Sequence, residues 1–171
     1  LKGESRRPRL LLPPGATDRI RQIFDLIDRA ELLDHAYEVE EYAADTPVQV
    51  GSLTVDFTPV PHFVPTHAVR VQTSDGGKLV FGADNRPNQR IIDFAAGAEL
   101  LDIEATLLAP EEGVRGHITS VEAAETAQAA VICQLVVAQL SDDLHRHNAL
   151  AQPHADHADT VLARQGATYR F

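Results

Sequence analysis

His62 closes the run Phe57-Thr-Pro-Val-Pro-His62, and Asp84 closes Val80-Phe-Gly-Ala-Asp84 one strand later. A histidine ending one apolar run and an aspartate ending the next would bring an imidazole and a carboxylate to one edge of a sheet. A hydrolytic metal site uses that combination: zinc takes a neutral imidazole nitrogen and a hard carboxylate oxygen and leaves a position for water. Gly116-His117-Ile-Thr119 supplies a second loop histidine, a residue type able to give or take a proton near neutral pH. Glu104 ends the apolar run that begins at Leu100. Each residue also has a plainer reading. His62 is then a loop histidine in a backbone stiffened by Pro59, Pro61 and Pro65, and Asp84 a cap for a helix starting near Asn88. His117 becomes a neighbour of a helix start, and Glu104 a buried acid satisfied by the backbone.

Taken together, these motifs resemble the C-terminal half of a metallo-β-lactamase-fold hydrolase of the ribonuclease Z and cyclic-phosphodiesterase branch, over nearly the whole chain. His62-Phe-Val-Pro-Thr-His67-Ala-Val-Arg-Val71 resembles the family's zinc-binding His, short loop and Arg-containing strand. Phe81-Gly-Ala-Asp84 resembles its strand-end Gly-Asp-Thr motif, whose Asp bridges two metals. Leu100-Leu-Asp-Ile-Glu104-Ala-Thr106 resembles the strand ending His-Glu-Ala-Thr, and Gly116-His117-Ile-Thr119 the Gly-His-Ser/Thr-Thr loop. The resemblance implies an α/β (α+β) fold, an αββα metallo-β-lactamase-like sandwich. It also implies metal ligands His62 and Asp84, and catalytic His117 and Glu104, the His assisting the leaving oxygen and the Glu orienting it. The cofactor implied is zinc, one or two ions, with manganese or iron as alternatives. His67 would be a substrate-side or outer histidine, or simply exposed.

Three departures bear on activity. The family's His-x-His-x-Asp-His loop is absent, and Gln152-Pro-His154-Ala-Asp156-His157 imitates it only in a late, solvated tail. Ile103 stands where the His of His-Glu-Ala-Thr would be. Gln139 ends the strand Leu135-Val-Val-Ala-Gln139 where the family has its last His ligand, and an amide oxygen binds zinc poorly, so one metal should be weakly held or missing. His145 and His147 are the candidate replacements from the next helical stretch, but their spacing does not demand it. Two function classes follow. One is a metal-dependent hydrolase of a phosphodiester or related ester or lactone bond, using water activated on the metal. The other is a degenerate, metal-poor binding module for a small molecule or protein.

With 171 residues, 44% of them hydrophobic, the chain has room for one domain with a true core. We expect residues 1–171 to form a single domain, incomplete at its N-terminus, because the sequence lacks Met and the ligand loop. A net charge of -10 disfavours bulk nucleic-acid binding. No apolar run is long enough for a membrane span. Expected partners are a small-molecule or phosphodiester substrate and, for self-association, a homodimer. The single Cys133, read as a small buried hydrophobe, fits a reducing, cytoplasmic setting.

To position these residues, the chain offers a strand at Arg9–Leu12, then a helix capped by Thr17 or Asp18. Tyr37–Tyr42 reads as a weak strand. Hairpins turn at Gly51-Ser52 and Ser74–Gly77. Helix and strand then alternate: helix 88–96, strand 100–105, helix 120–130 opened by Ser120, and strand 135–138. A histidine-bearing helical stretch and closing strands at 160–163 and 167–171 complete the pattern.

Overall fold

The computed structural model describes residues 7–141 and 159–171. Its contacts divide into two compact units, Leu1–Thr46 and Pro47–Phe171. In the first unit, β1 (Arg9–Leu12) and β2 (Glu38–Glu41) pair in parallel through a crossover of two short helices, α1 (Ala16–Asp25) and α2 (Leu32–Ala36). Neither Thr17 nor Asp18 caps α1. Its N-cap is Gly15, at φ 76, which has no side chain to offer. The cap comes from Glu41 at the end of β2, whose carboxylate accepts the Gly15 and Thr17 backbone N–H groups at 2.9 Å each. Bonds from the Gly15 backbone, and then from Thr17, hold the Glu41 carboxyl below its ordinary range.

The second unit is built on seven strands in chain order, from β3 to β9. β3 (Val48–Val50), β4 (Leu53–Val60), β5 (Thr66–Gln72) and β6 (Lys78–Phe81) form an antiparallel meander. Both expected hairpins are present, the first turning at Gly51 with φ 62. From β6 the sheet becomes parallel through β7 (Leu100–Ala105), β8 (Gln134–Leu140) and β9 (Thr160–Leu162). Two reversals bring β4 back into the direction of β6. Hence β4, β6, β7, β8 and β9 all end at the same edge.

Among the described residues, α3 (Gln89–Ala95) crosses from β6 to β7 and α4 (Ser120–Ala129) from β7 to β8. Their buried residues Ile91, Ala95, Ala123, Ala124 and Ala127 join Val80, Leu101, Ile103, Leu135 and Val137 of the sheet in one core. Alanines at 123, 124 and 127 let α4 lie closely on β7 and β8. Burying a side chain such as Ile103 contributes about 1.5–3 kcal/mol. β7 is buried along nearly its full length, as a central parallel strand should be.

Several local expectations change. The N-cap of α3 is Asn88, which accepts the Ile91 N–H at 3.0 Å, so Asp84 is released from that plainer role. α4 is capped by Thr119, one residue before the expected Ser120, in a capping box closed by Glu122. Cys133 is exposed rather than buried, because it lies in the turn before β8 and not in the strand. β9 ends at Leu162, and residues 167–171 form no strand. The expected helical stretch with His145 and His147, and the tail with His154, Asp156 and His157, lie outside the described residues. Among the described residues, no helix is long and apolar enough to cross a membrane.

Candidate metal centre

Strand direction explains the gathering of residues. His62 follows β4, Asp84 follows β6, Glu104 lies near the end of β7 and Gln139 near the end of β8. The carboxyl ends of co-directed strands are where α/β sheets hold ligands. The loop between β7 and α4 returns to the same edge, pinned where the Leu107 N–H bonds to the Ile118 carbonyl at 3.0 Å. It thereby delivers His117.

His62, Asp84 and His117 form one group, with a donor atom from each within 4.8 Å of the others. His62 Nε2 is 4.0 Å from Asp84 Oδ2, and the two imidazole centroids are 4.9 Å apart. His62 Nδ1 lies 2.9 Å from the Gly116 carbonyl oxygen, which can only accept. Nδ1 is therefore the protonated nitrogen, and in the neutral ring Nε2 carries the lone pair. His117 Nδ1 lies 2.9 Å from both oxygens of Glu104, so the same reasoning leaves Nε2 as its lone-pair atom when the carboxyl is ionised. A histidine whose other nitrogen is tied to a carbonyl or carboxylate is the usual arrangement behind a metal ligand. The donor set fits a divalent cation, and it holds three residues where the sequence motifs pointed to two.

Glu104 is almost wholly buried and fully used. Besides His117, it accepts the Asn85 N–H at 2.8 Å and the Thr106 N–H at 3.3 Å. Asn85, itself fully buried, donates its amide to the Gly82 and Ala83 carbonyls and so shapes the turn that aims Asp84. The loops of His62 and Asp84 are joined by the Arg86 N–H to the Pro61 carbonyl, 3.1 Å. On the His117 side, Glu122 bonds to Arg115 and Thr119. Burial alone would raise the Glu122 carboxyl, but the Arg115 and Thr119 bonds outweigh it and hold the group below its ordinary range.

Gln139 approaches from β8 and donates its Nε2 to Asp84 Oδ2 at 3.1 Å. It is the extra residue of a bulge: Glu104 pairs with Ala138 and Ala105 with Leu140, leaving Gln139 unpaired in the ladder at φ 47. Ile103 faces the core and makes no part of this group. It presses on Gly82, where a Cβ would come within 2.7 Å of the Ile103 side chain. That contact is the reason for glycine there. His67 lies within β5 opposite Pro59 and is not among the grouped residues.

The sequence motifs thus named His62, Asp84, His117, Glu104 and Gln139, and the structure brings all five to one sheet edge. They missed Asn85, whose essential group is a backbone N–H, and Phe63, whose ring lies 5.2 Å from that of His62 and 5.9 Å from that of His117. They also passed over Asp102, whose Oδ1 is buried without a hydrogen-bond partner and whose carboxyl is raised by that burial. An acid between the apolar Leu101 and Ile103 was the available signal.

Comparison with known proteins agrees with the motifs. Residues 2–138 match the family described as the beta-lactamase superfamily domain. The ribonuclease Z of Methanothermobacter thermautotrophicus is 34% identical over 103 residues, covering 55% of this chain and 34% of that protein. The chain therefore spans about a third of that relative's length. Among solved structures, the metallo-beta-lactamase fold protein YhfI from Bacillus subtilis superposes with a TM-score of 0.84 at 22% identity, covering 99% of this chain and 68% of that one. The short form of human tRNase Z gives 0.64 at 20% identity, with 93% and 66% covered. The fold is that of the metallo-β-lactamases, and with its family match extending from β1 into β8 the chain belongs to the beta-lactamase superfamily domain family.

Proposed function

We propose that the protein is part of a metal-dependent hydrolase of phosphodiester bonds, with His62 and Asp84 as metal ligands and His117 as proton donor to the leaving oxygen. The observation that carries this reading is the His62–Asp84–His117 group with both Nδ1 atoms already bonded elsewhere. A zinc, manganese or iron ion held there would polarise the phosphoryl oxygen and activate water. Glu104 fixes the His117 tautomer and offsets the charge of the imidazolium when His117 is protonated. His117 also stands close enough to serve as a third donor, which would exchange its acid role for a ligand role. The ribonuclease Z relative supports a phosphodiester rather than a carbonyl substrate. A lactone or other ester remains the chemical alternative, and an exposed free thiol at Cys133 is compatible with a cytoplasmic protein.

Titration of the 171-residue chain with zinc and with manganese tests this, followed by hydrolysis of bis(p-nitrophenyl) phosphate. We expect one tightly bound ion, with affinity lost at least about tenfold in His62→Ala and Asp84→Asn. Equal metal content in wild type and both variants would refute the site. The competing reading, a metal-poor binding module, is favoured by one observation: the Gln139 amide already occupies an oxygen of Asp84. A wild-type chain that takes up no metal would decide for it.

A further inference from the structure

Phe63 is 61% exposed, yet it is not a loose surface side chain. Its ring is tilted against His62 at 5.2 Å and stands edge-on to His117 at 5.9 Å. Beneath it is Gly116, where a Cβ would lie only 2.7 Å from two ring carbons, Cδ2 and Cε2. The glycine therefore lets the ring settle on the backbone that presents His117. Isolated exposed apolar residues are ordinary on protein surfaces and need no explanation. An aromatic ring held by both imidazoles of a candidate metal group, with most of its surface left to solvent, is a different case.

We infer that Phe63 is a stacking platform for a planar base of the substrate, next to the phosphoryl group handled by His62, Asp84 and His117. The inference rests on the phosphodiesterase reading and adds to it the residue that would contact the base. Charge supports it. At -10 the chain gains little affinity from phosphates outside the site, so binding must draw on local contacts. Stacking on an aromatic ring accepts any base, because every base has a π-face.

The probes are adenosine 5′-monophosphate and ribose 5-phosphate, titrated with zinc present into the 171-residue chain. They share the phosphate and sugar and differ in the base. Wild type should bind the adenosine nucleotide more tightly by about 5- to 150-fold, the range that alanine substitution of stacking aromatics implies. Phe63→Ala and the apolar but non-planar Phe63→Leu should bring this ratio close to one. Phe63→Trp should keep it. Equal affinities in wild type, or a ratio unchanged in Phe63→Ala, would overturn the inference. Asp84→Asn separates this from the underlying reading. If ribose 5-phosphate binding ignores that change, the metal centre fails while the base preference is still read from Phe63. Binding of neither phosphate to wild type overturns both.

Discussion

Replacing Glu104 tests the arrangement of the centre without adding metal or substrate. Its carboxylate accepts from Asn85 at 2.8 Å, His117 at 2.9 Å and Thr106 at 3.3 Å. Glu104→Leu keeps similar bulk and removes every acceptor. The Asn85 N–H belongs to a fully buried residue, and leaving it unpaired costs about 1–3 kcal/mol. His117 can turn toward water and the Thr106 bond is long, so both add little. Removing a buried charge returns part of its desolvation cost. The net loss should be about 1–2 kcal/mol, and at roughly 2–4 °C per kcal/mol for a chain of this size the melting temperature should fall by about 2–8 °C. Glu104→Gln sets an amide NH2 against donors on one side and should also destabilise. Nitrogen-15 NMR of the imidazoles supplies the second readout: the proton on His117 Nδ1 in wild type should redistribute toward Nε2 in Glu104→Leu. Wild type already in the Nε2–H form, or a tautomer unmoved by Glu104→Leu, would refute the account of how His117 is held.

Gly116→Ala should weaken zinc binding at least about tenfold with the circular dichroism spectrum retained, since the new Cβ would lie 2.7 Å from His62 Nδ1. Wild-type affinity would show that the loop relaxes at no cost. Gln139→His should raise metal affinity, as an imidazole replaces an amide that is committed to Asp84; unchanged affinity and stoichiometry by calorimetry would place position 139 outside the coordination sphere. Asp102→Asn should raise stability at pH 7. Burial lifts the folded-state pKa above the unfolded value of about 3.9, so ionisation costs the native state at neutral pH and the cost fades as pH falls through the folded pKa. Urea unfolding across pH should show the gap to wild type closing toward pH 4, and a gap that widens on acidification would contradict the sign.

The strands and the edge residues were legible because each obeyed one local rule. Alternation around Gly51-Ser52 and Ser74–Gly77 marked the hairpins, the unbroken run Leu135–Ala138 marked β8, and β7 was readable from Leu100, Leu101, Ile103 and Ala105 despite its two acids. With strand order known, His62, Asp84, Glu104 and Gln139 had to share an edge. What stayed hidden depends on contacts between distant segments. Glu41 caps α1 from 24 residues away at Thr17, and no local pattern announces it. The Asn85 bond to Glu104 uses a backbone N–H, a group every non-proline residue has. The fixing of Phe63 needs Gly116, which reads locally as a turn residue.

The two strand ends that meet at Asp84 carry a common irregularity. Ala83, just before the acid, is at φ 54, and Gln139, which bonds to it, is at φ 47. Neither is glycine, and each left-handed residue costs about 1 kcal/mol or more. At Ala83, the conformation follows from the buried Asn85 amide holding the Gly82 and Ala83 carbonyls. At Gln139, it follows from the bulge, and the Thr106 hydroxyl bonds to its carbonyl at 3.2 Å. Turn residues Asp28, Asp45 and Val131 are left-handed as well, but Ala83 and Gln139 are the two that set where the Asp84 carboxylate points. The same geometry also limits the chemistry, because the amide that steadies Asp84 takes one of its oxygens. A cation held at this edge would share that oxygen with Gln139 or use the other.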